Sequence, residues 1–106
     1  VFPSLFEGLP GAVVEAQAAG LPCIISDTID KAVCITPNIT CLSLKEETDV
    51  WADKIISSFN FSRKDTNRYL EENGFDIKTL VRELSRFYVD VMEEQTNVYR
   101  ALRKVD

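Results

Sequence analysis

The sequence predicts an α/β unit with about three parallel strands, flanking helices and a long C-terminal helix. Three observations carry that expectation. Two short apolar runs, Val1-Phe2 and Leu21–Ser26, lie on either side of a small-residue segment bracketed by Pro10 and Gly20. A third apolar run follows at Thr40–Leu44. From Ile77 onward, apolar residues then recur at helical spacing.

Val1-Phe2 reads as the end of a buried strand, and Pro3 to Gly11 as the loop at its carboxyl end. Pro10 suits a first helical turn, where a missing N–H costs nothing, while Gly20 and Pro22 stop the helix. A helix over about 10–19 results, with Ala12, Ala16 and Ala19 expected to keep it close to the sheet. Leu21–Ser26 is apolar almost throughout, as a parallel strand covered on both faces would be. With the helix between them, the first two runs make a β-α-β unit whose crossover should be right-handed.

Residues 27–38 read as loop, with one helical turn around Lys31–Cys34. Lys31 is taken as an exposed loop lysine, although it could face a phosphate. Thr40–Leu44 is the third strand. Thr48 or Asp49 should cap a helix over 49–60, in which Trp51, Ile55, Ile56 and Phe59 recur at helical spacing. That spacing marks Trp51 as core rather than as a stacking platform. Ser62 with Asp65 three residues later resembles a capping box and opens a helix over 63–73, closed by Asn73-Gly74. Asp76 begins the last helix, 76–103, roughly 40 Å long. Its stripe is Ile77, Leu80, Val81, Leu84, Phe87, Tyr88, Val91 and Met92, continued by Val98, Tyr99 and Leu102.

A chain of 106 residues is at most one small domain, and its 45% hydrophobic and 27% charged residues are those of an ordinary globular chain. Twelve basic against seventeen acidic residues give a net charge of −5. That balance, without any Lys/Arg cluster, argues against a nucleic-acid partner. No apolar run is long enough for a bilayer. Cys23, Cys34 and Cys41 have no C-x-x-C spacing and histidine is absent, so neither a zinc site nor a His-dependent triad is expected. Free thiols suit a reducing cytoplasm, with Cys23 a small buried hydrophobe.

The chemistry-bearing stretch is the first strand end, its loop and the helix start. Unpaired N–H groups and the positive end of the helix dipole favour an anion such as phosphate. Gly8 and Gly11 permit close approach to the backbone. Two carboxylates, Glu7 in the loop and Glu15 about one turn into the helix, suit the hydroxyls of a ribose or hexose. Spacing alone favours a plainer alternative, that both are solvated acids at a helix start.

The residues Phe6-Glu7-Gly8-Leu9-Pro10 and Glu15-Ala16-Gln17-Ala18-Ala19-Gly20-Leu21-Pro22 resemble the signature of retaining GT-B glycosyltransferases of family 4, the glycosyl transferases group 1. The likeness is dense over residues 3–27, diffuse afterwards, and it reverses that preference. It implies a Rossmann-like fold for the chain, as the C-terminal part of the nucleotide-sugar-binding domain, with the N-terminal domain and the start of this domain absent. It implies that Glu7 contacts hydroxyls of the donor sugar and Glu15 the ribose of the nucleotide. Gly8, Leu9, Pro10, Gly11 and Ala12 would face the donor sugar and diphosphate. No metal ligand is implied, and no catalytic residue beyond an assisting role of Glu7.

The resemblance further implies a hexosyltransferase that moves a sugar from a nucleoside diphosphate sugar to a hydroxyl with retention and no cofactor besides that donor. The 106-residue chain alone should be inactive, since the diphosphate clamp and acceptor domain lie upstream. Gly74-Phe75-Asp76-Ile77-Lys78, Leu84, Phe87-Tyr88 and Ile25-Ser26-Asp27-Thr28 resemble bacterial capsular and exopolysaccharide enzymes, which places the work in polysaccharide biosynthesis. A cytoplasmic location follows, with any peripheral contact at the inner membrane face made through the missing part. The long helix should meet the missing N-terminal domain, and the bare stripe and strand edge should promote self-association. One departure stands out. Where the family carries paired glycines and a glutamate, this chain has Thr28-Ile29-Asp30-Lys31-Ala32-Val33, with Ala32 at the glutamate's place. That departure keeps open a non-catalytic GT-B-like scaffold or partner subunit, and a plain nucleotide-binding α/β domain is a second alternative.

Overall fold

The computed structural model describes residues 1–104. They divide into two compact units, Val1–Asn73 and a second that begins at Gly74.

The first unit holds a parallel pair of strands, β1 (Cys23–Ser26) and β2 (Ile39–Leu42), in the register Cys23↔Ile39 to Ser26↔Leu42. The expected first strand, Val1-Phe2, is reduced to one parallel bridge, Phe2 with Ile25. Phe2 N–H donates to the Ile24 carbonyl (2.8 Å) and its own carbonyl accepts from Ser26 N–H (3.2 Å). Cys23 and Asp27 N–H donate to Asn38 and Leu42 on the β2 side. β1 is therefore the central element, bonded on both edges. The pairing goes no further at Ser4, whose carbonyl accepts from the side-chain hydroxyls of Ser26 and Thr28 instead of from a backbone amide of a continued ladder.

Helix α1 (Gly11–Ala18) connects this edge to β1. Pro10 is its N-cap rather than its first residue, with φ −72° and ψ 104°. The buried face is Val13, Gln17 and Gly20 with Ala16 partly covered, whereas Ala12 and Ala19 are exposed. The expectation for Ala12 and Ala19 therefore fails. A period of 3.6 places 13, 16, 17 and 20 on one stripe, so Val13 and Ala16 face the core while Ala12 and Ala19 do not. The helix ends in a double bond pattern, Leu21 N–H to Ala16 O (3.0 Å) and Gly20 N–H to Gln17 O (2.9 Å), with Gly20 at φ +73°. This is the left-handed termination that glycine supplies without a Cβ clash.

The core comprises Val13, Cys23, Ile25, Ile29 and Val33, with Phe2, Val14, Ala16, Cys34 and Ile39 against it. A 3-10 turn at Lys31–Val33, capped by Asp30 Oδ1 on the Ala32 N–H (2.8 Å), confirms the expected turn in the long loop. Helix α2 (Thr48–Ser57) begins after Glu47 with no side-chain cap, so neither Thr48 nor Asp49 caps it. Trp51 is half-buried and its Nε1–H donates to Ser43 O (3.2 Å), while Ile56 and Phe59 stay exposed.

Helix α3 is shorter than expected, Asn67–Glu72, with Asp65 Oδ1 accepting from Asn67 N–H (2.9 Å). Residues 60–64 do not become helical because a tertiary tie takes precedence over the local capping signal. Buried Thr66 donates its hydroxyl to Ala18 O (2.9 Å), and Lys64 O lies 3.0 Å from where a Cβ on Gly20 would stand.

The second unit is helix α4, Ile77–Leu102. Asp76 caps it as expected, its Oδ2 accepting from the Thr79 N–H and hydroxyl, each at 2.8 Å. The hydroxyl bond first, then the amide bond, holds the Asp76 carboxyl below its ordinary value. The apolar stripe is present, and all its members except the half-buried Val91 are exposed. No helix among the described residues is long and apolar enough to cross a membrane.

Candidate functional site

The site is built at the carboxyl end of β1. Phe2 is pinned to β1 by its two backbone bonds, and the chain then turns through Pro3-Ser4. Two hydroxyls, one at the end of β1 and one just past it, hold that turn. Ser26 Oγ donates to Ser4 O in a short contact, and Thr28 Oγ1 lies 2.8 Å from the same carbonyl and 3.2 Å from Ser26 Oγ. Ser26 is fully buried, so its hydroxyl needs such a partner. Ser4 in turn uses its own hydroxyl on Glu7, with Oγ 2.9 Å from Oε1 and 3.2 Å from Phe6 O. A continuous relay therefore runs from β1 through Ser4 to the Glu7 carboxylate. Glu7 is half-buried, and only one of its oxygens is engaged by Ser4.

Beyond Glu7 the loop is bare. Leu5 is 80% exposed, Phe6 86% and Leu9 53%, an unusual display for apolar side chains on so short a stretch. Gly8 and Gly11 have no positive φ, and a Cβ on either would meet nothing within 4 Å. Neither position is glycine for the sake of folding. Pro10 O receives Val13 and Val14 N–H at 3.1 and 3.3 Å, and no side chain caps α1. Gly11 and Ala12, whose amides precede those bonds, are exposed. Glu15 is also exposed, one turn along the same helix. Of the seven expected site residues, Gly8, Leu9, Gly11, Ala12 and Glu15 are exposed and Glu7 is half-buried. Pro10 is the exception, buried as the hinge between loop and helix.

Behind this surface lies a residue that motif reading passed over. Gln17 is fully buried. Its Nε2 donates to Val13 O (3.2 Å) and Val33 O (2.7 Å), and its Oε1 accepts from Ile35 N–H, Thr36 N–H (3.0 Å each) and Thr36 Oγ1 (3.3 Å). One side chain fastens the loop after β1 to the helix that carries Glu15. The signal was available in the sequence, since Gln17 is a polar residue on the buried phase of α1, two positions after Glu15. Ala32 and Lys31 lie exposed on the 3-10 turn of that loop. Among the described residues no buried side-chain N or O lacks a partner, and no three His, Cys, Asp or Glu side chains gather as a metal cluster.

Comparison with known proteins agrees with this construction. Residues 1–60 match the family model described as glycosyl transferases group 1. The EpsF protein of Bacillus subtilis (strain 168), named as a glycosyltransferase, is 41% identical over 101 residues, covering 92% of this chain and 26% of the relative. The UDP-Gal:alpha-D-GlcNAc-diphosphoundecaprenol alpha-1,3-galactosyltransferase of Escherichia coli is 33% identical over 102 residues, 87% of this chain and 25% of the relative. The chain spans about a quarter of the length of these curated relatives. No solved structure matches it. The family match covers the β1 unit, the Ser4–Glu7 relay and the Glu15 helix together, and the chain belongs to the glycosyl transferases group 1.

Proposed function

We propose that this chain is the donor-binding part of a glycosyltransferase that moves a sugar from a nucleoside diphosphate sugar to a hydroxyl acceptor, with retention, in polysaccharide biosynthesis. The observation that carries the reading is the buttressed Glu7 beside a glycine loop that the fold does not require to be glycine. Glu7 orients the hydroxyls of the donor sugar, and Glu15 accepts from the ribose diol. Backbone N–H groups at Gly11 and Ala12, with the positive end of α1, stabilise negative charge as the diphosphate departs. In the whole protein a second domain supplies the acceptor surface and the cationic groups that complete the diphosphate site. The reaction is placed at the cytoplasmic side, where nucleotide sugars would be met.

The name of the Escherichia coli relative makes a UDP-sugar the first donor to try and a lipid-linked sugar the first acceptor. The test uses the intact protein with UDP-galactose, UDP-N-acetylglucosamine and GDP-mannose, reading nucleotide release and product anomeric configuration. Donor-dependent transfer with retention that is lost in Glu7→Gln supports the reading. Transfer undiminished in Glu7→Gln at saturating donor, or inversion at the anomeric carbon, overturns it.

A further inference from the structure

Cys34 and Cys41 have no part in the sugar site, yet the fold sets their Sγ atoms 3.9 Å apart as free thiols. Each is placed by structure that does not depend on the other. Cys41 sits in β2 opposite Ile25, in a register fixed along the whole strand. Cys34 closes the 3-10 turn, its N–H donating to Lys31 O (2.9 Å), and packs against the core. On its other side Gln17 grips the Ile35 and Thr36 amides. The two sulfurs are therefore held facing one another by backbone anchors. A disulfide bond needs them at about 2.05 Å, an approach of roughly 2 Å.

We propose that Cys34 and Cys41 form a reversible dithiol/disulfide site, oxidised by exchange with a low-molecular-weight disulfide and reopened by the corresponding thiol. Exposed Cys41, as thiolate, attacks one sulfur of R–S–S–R. A Cys41–S–S–R bond forms, and RS⁻ leaves and takes up the proton that Cys41 released. Cys34 then loses its proton, and its Sγ attacks Cys41 Sγ. The Cys34–Cys41 bond forms and a second RS⁻ departs as RSH. In sum, two protein thiols and R–S–S–R become one protein disulfide and two RSH, with two electrons passing to the small disulfide. Burial, then the hydrogen bond and charge of Cys41, push the Cys34 thiol above its ordinary range. That fits Cys34 as the second, resolving sulfur rather than the first nucleophile. Cys23 is buried in β1 as part of the core, and burial raises its thiol too, so it stays outside the exchange. The product staples residues 34–41, the return of the chain from the 3-10 turn into β2.

The site stands independently of the sugar-transfer reading, and its test needs no donor or activity. The intact protein is incubated with oxidised glutathione, denatured, alkylated with iodoacetamide and digested with trypsin. Both cysteines fall in one peptide, Ala32–Lys45, which has no internal Lys or Arg. The expected product is that peptide two hydrogens lighter than its reduced form and without alkylation, restored by dithiothreitol, while Cys23 is alkylated. Cys34→Ser should instead retain a glutathione adduct on Cys41. A persistent glutathione adduct on the natural peptide, or alkylation of both its cysteines, overturns the proposal.

Discussion

Glu7 owes its position to the Ser4 hydroxyl, and Ser4 to two hydroxyls at the end of β1. Removing the charge leaves this scaffold in place, because Glu7 supports no core contact. Glu7→Gln in the intact enzyme should therefore lower turnover by about 10- to 100-fold, the worth of one charge-assisted hydrogen bond of about 1.5–3 kcal/mol. Its melting curve should superimpose on that of the natural protein. Ser4→Ala should give a smaller loss, rescued by Ser4→Thr, and a Ser4→Ala enzyme with natural kinetics would remove Ser4 from the relay. Glu15→Ala should raise the donor Kd and leave saturated turnover little changed. Gln17 behaves in the opposite sense. Gln17→Leu strands the Val33 carbonyl and the Ile35 and Thr36 amides, and unsatisfied buried groups cost about 1–3 kcal/mol each. A loss of about 2–4 kcal/mol in urea unfolding is expected, since partial rehydration relieves some of that cost.

Among the elements, α1 was the most legible because its stop signals are chemical. Gly20 is needed for its positive φ, and the Leu21 and Gly20 amide bonds follow from it. The edge at Phe2 and the start of α3 were less legible, since each is set by partners distant in sequence. The Ser26 and Thr28 hydroxyls draw the Ser4 carbonyl out of the pairing that starts at Phe2, and the clasp of Lys64 and Thr66 on the end of α1 replaces the turn that Ser62 and Asp65 would have opened. The two glutamates were visible as a motif, whereas the hydroxyl relay beneath Glu7 was not. Ser26 and Thr28 are ordinary strand-end residues until the fold brings Ser4 to them. Gly20→Ala should cost at least about 1–2 kcal/mol for the left-handed backbone alone, with the Lys64 carbonyl at 3.0 Å adding to it. Gly8→Ala should change stability by no more than about 0.5 kcal/mol, and a loss of activity there would mark ligand contact rather than folding. At α4, the depressed Asp76 carboxyl stabilises the helix start at any pH above its ordinary value of 3.8. That contribution is lost as pH falls through the lowered folded value. The Thr79 amide resonance should report this titration, and Asp76→Asn should abolish it.

For the molecule as a whole, the 106-residue chain by itself should bind donor feebly and transfer nothing. On the proposed reading its helix N-terminus and two glutamates are only part of the donor site. Losing two charge-assisted bonds costs roughly 3–6 kcal/mol, about 10²- to 10⁴-fold in affinity. NMR titration with UDP- and GDP-sugars should give millimolar or weaker binding. Micromolar binding would assign most of the affinity to α1 and Glu15. The exposed stripe from Ile77 to Leu102 and the bare edge at Phe2 should also make the isolated chain self-associate. Light scattering at rising concentration checks this, and a strictly monomeric chain would count against it.

The clasp of Thr66 on Ala18 also bears on the order of events during synthesis. Its two residues are 48 apart in the chain. At about 5–20 residues per second, translation separates them by roughly 2–10 s. Throughout that interval the helix bearing Glu15 can form its own turns, but its last carbonyl has no clasp and Gly20 no carbonyl lying over it. The Pro10 end of α1 is thus shaped early and its opposite end is locked late. A nascent chain arrested before residue 66 has emerged should show the Ala18 end of the helix open to a protease, and one arrested well beyond it should show that end closed.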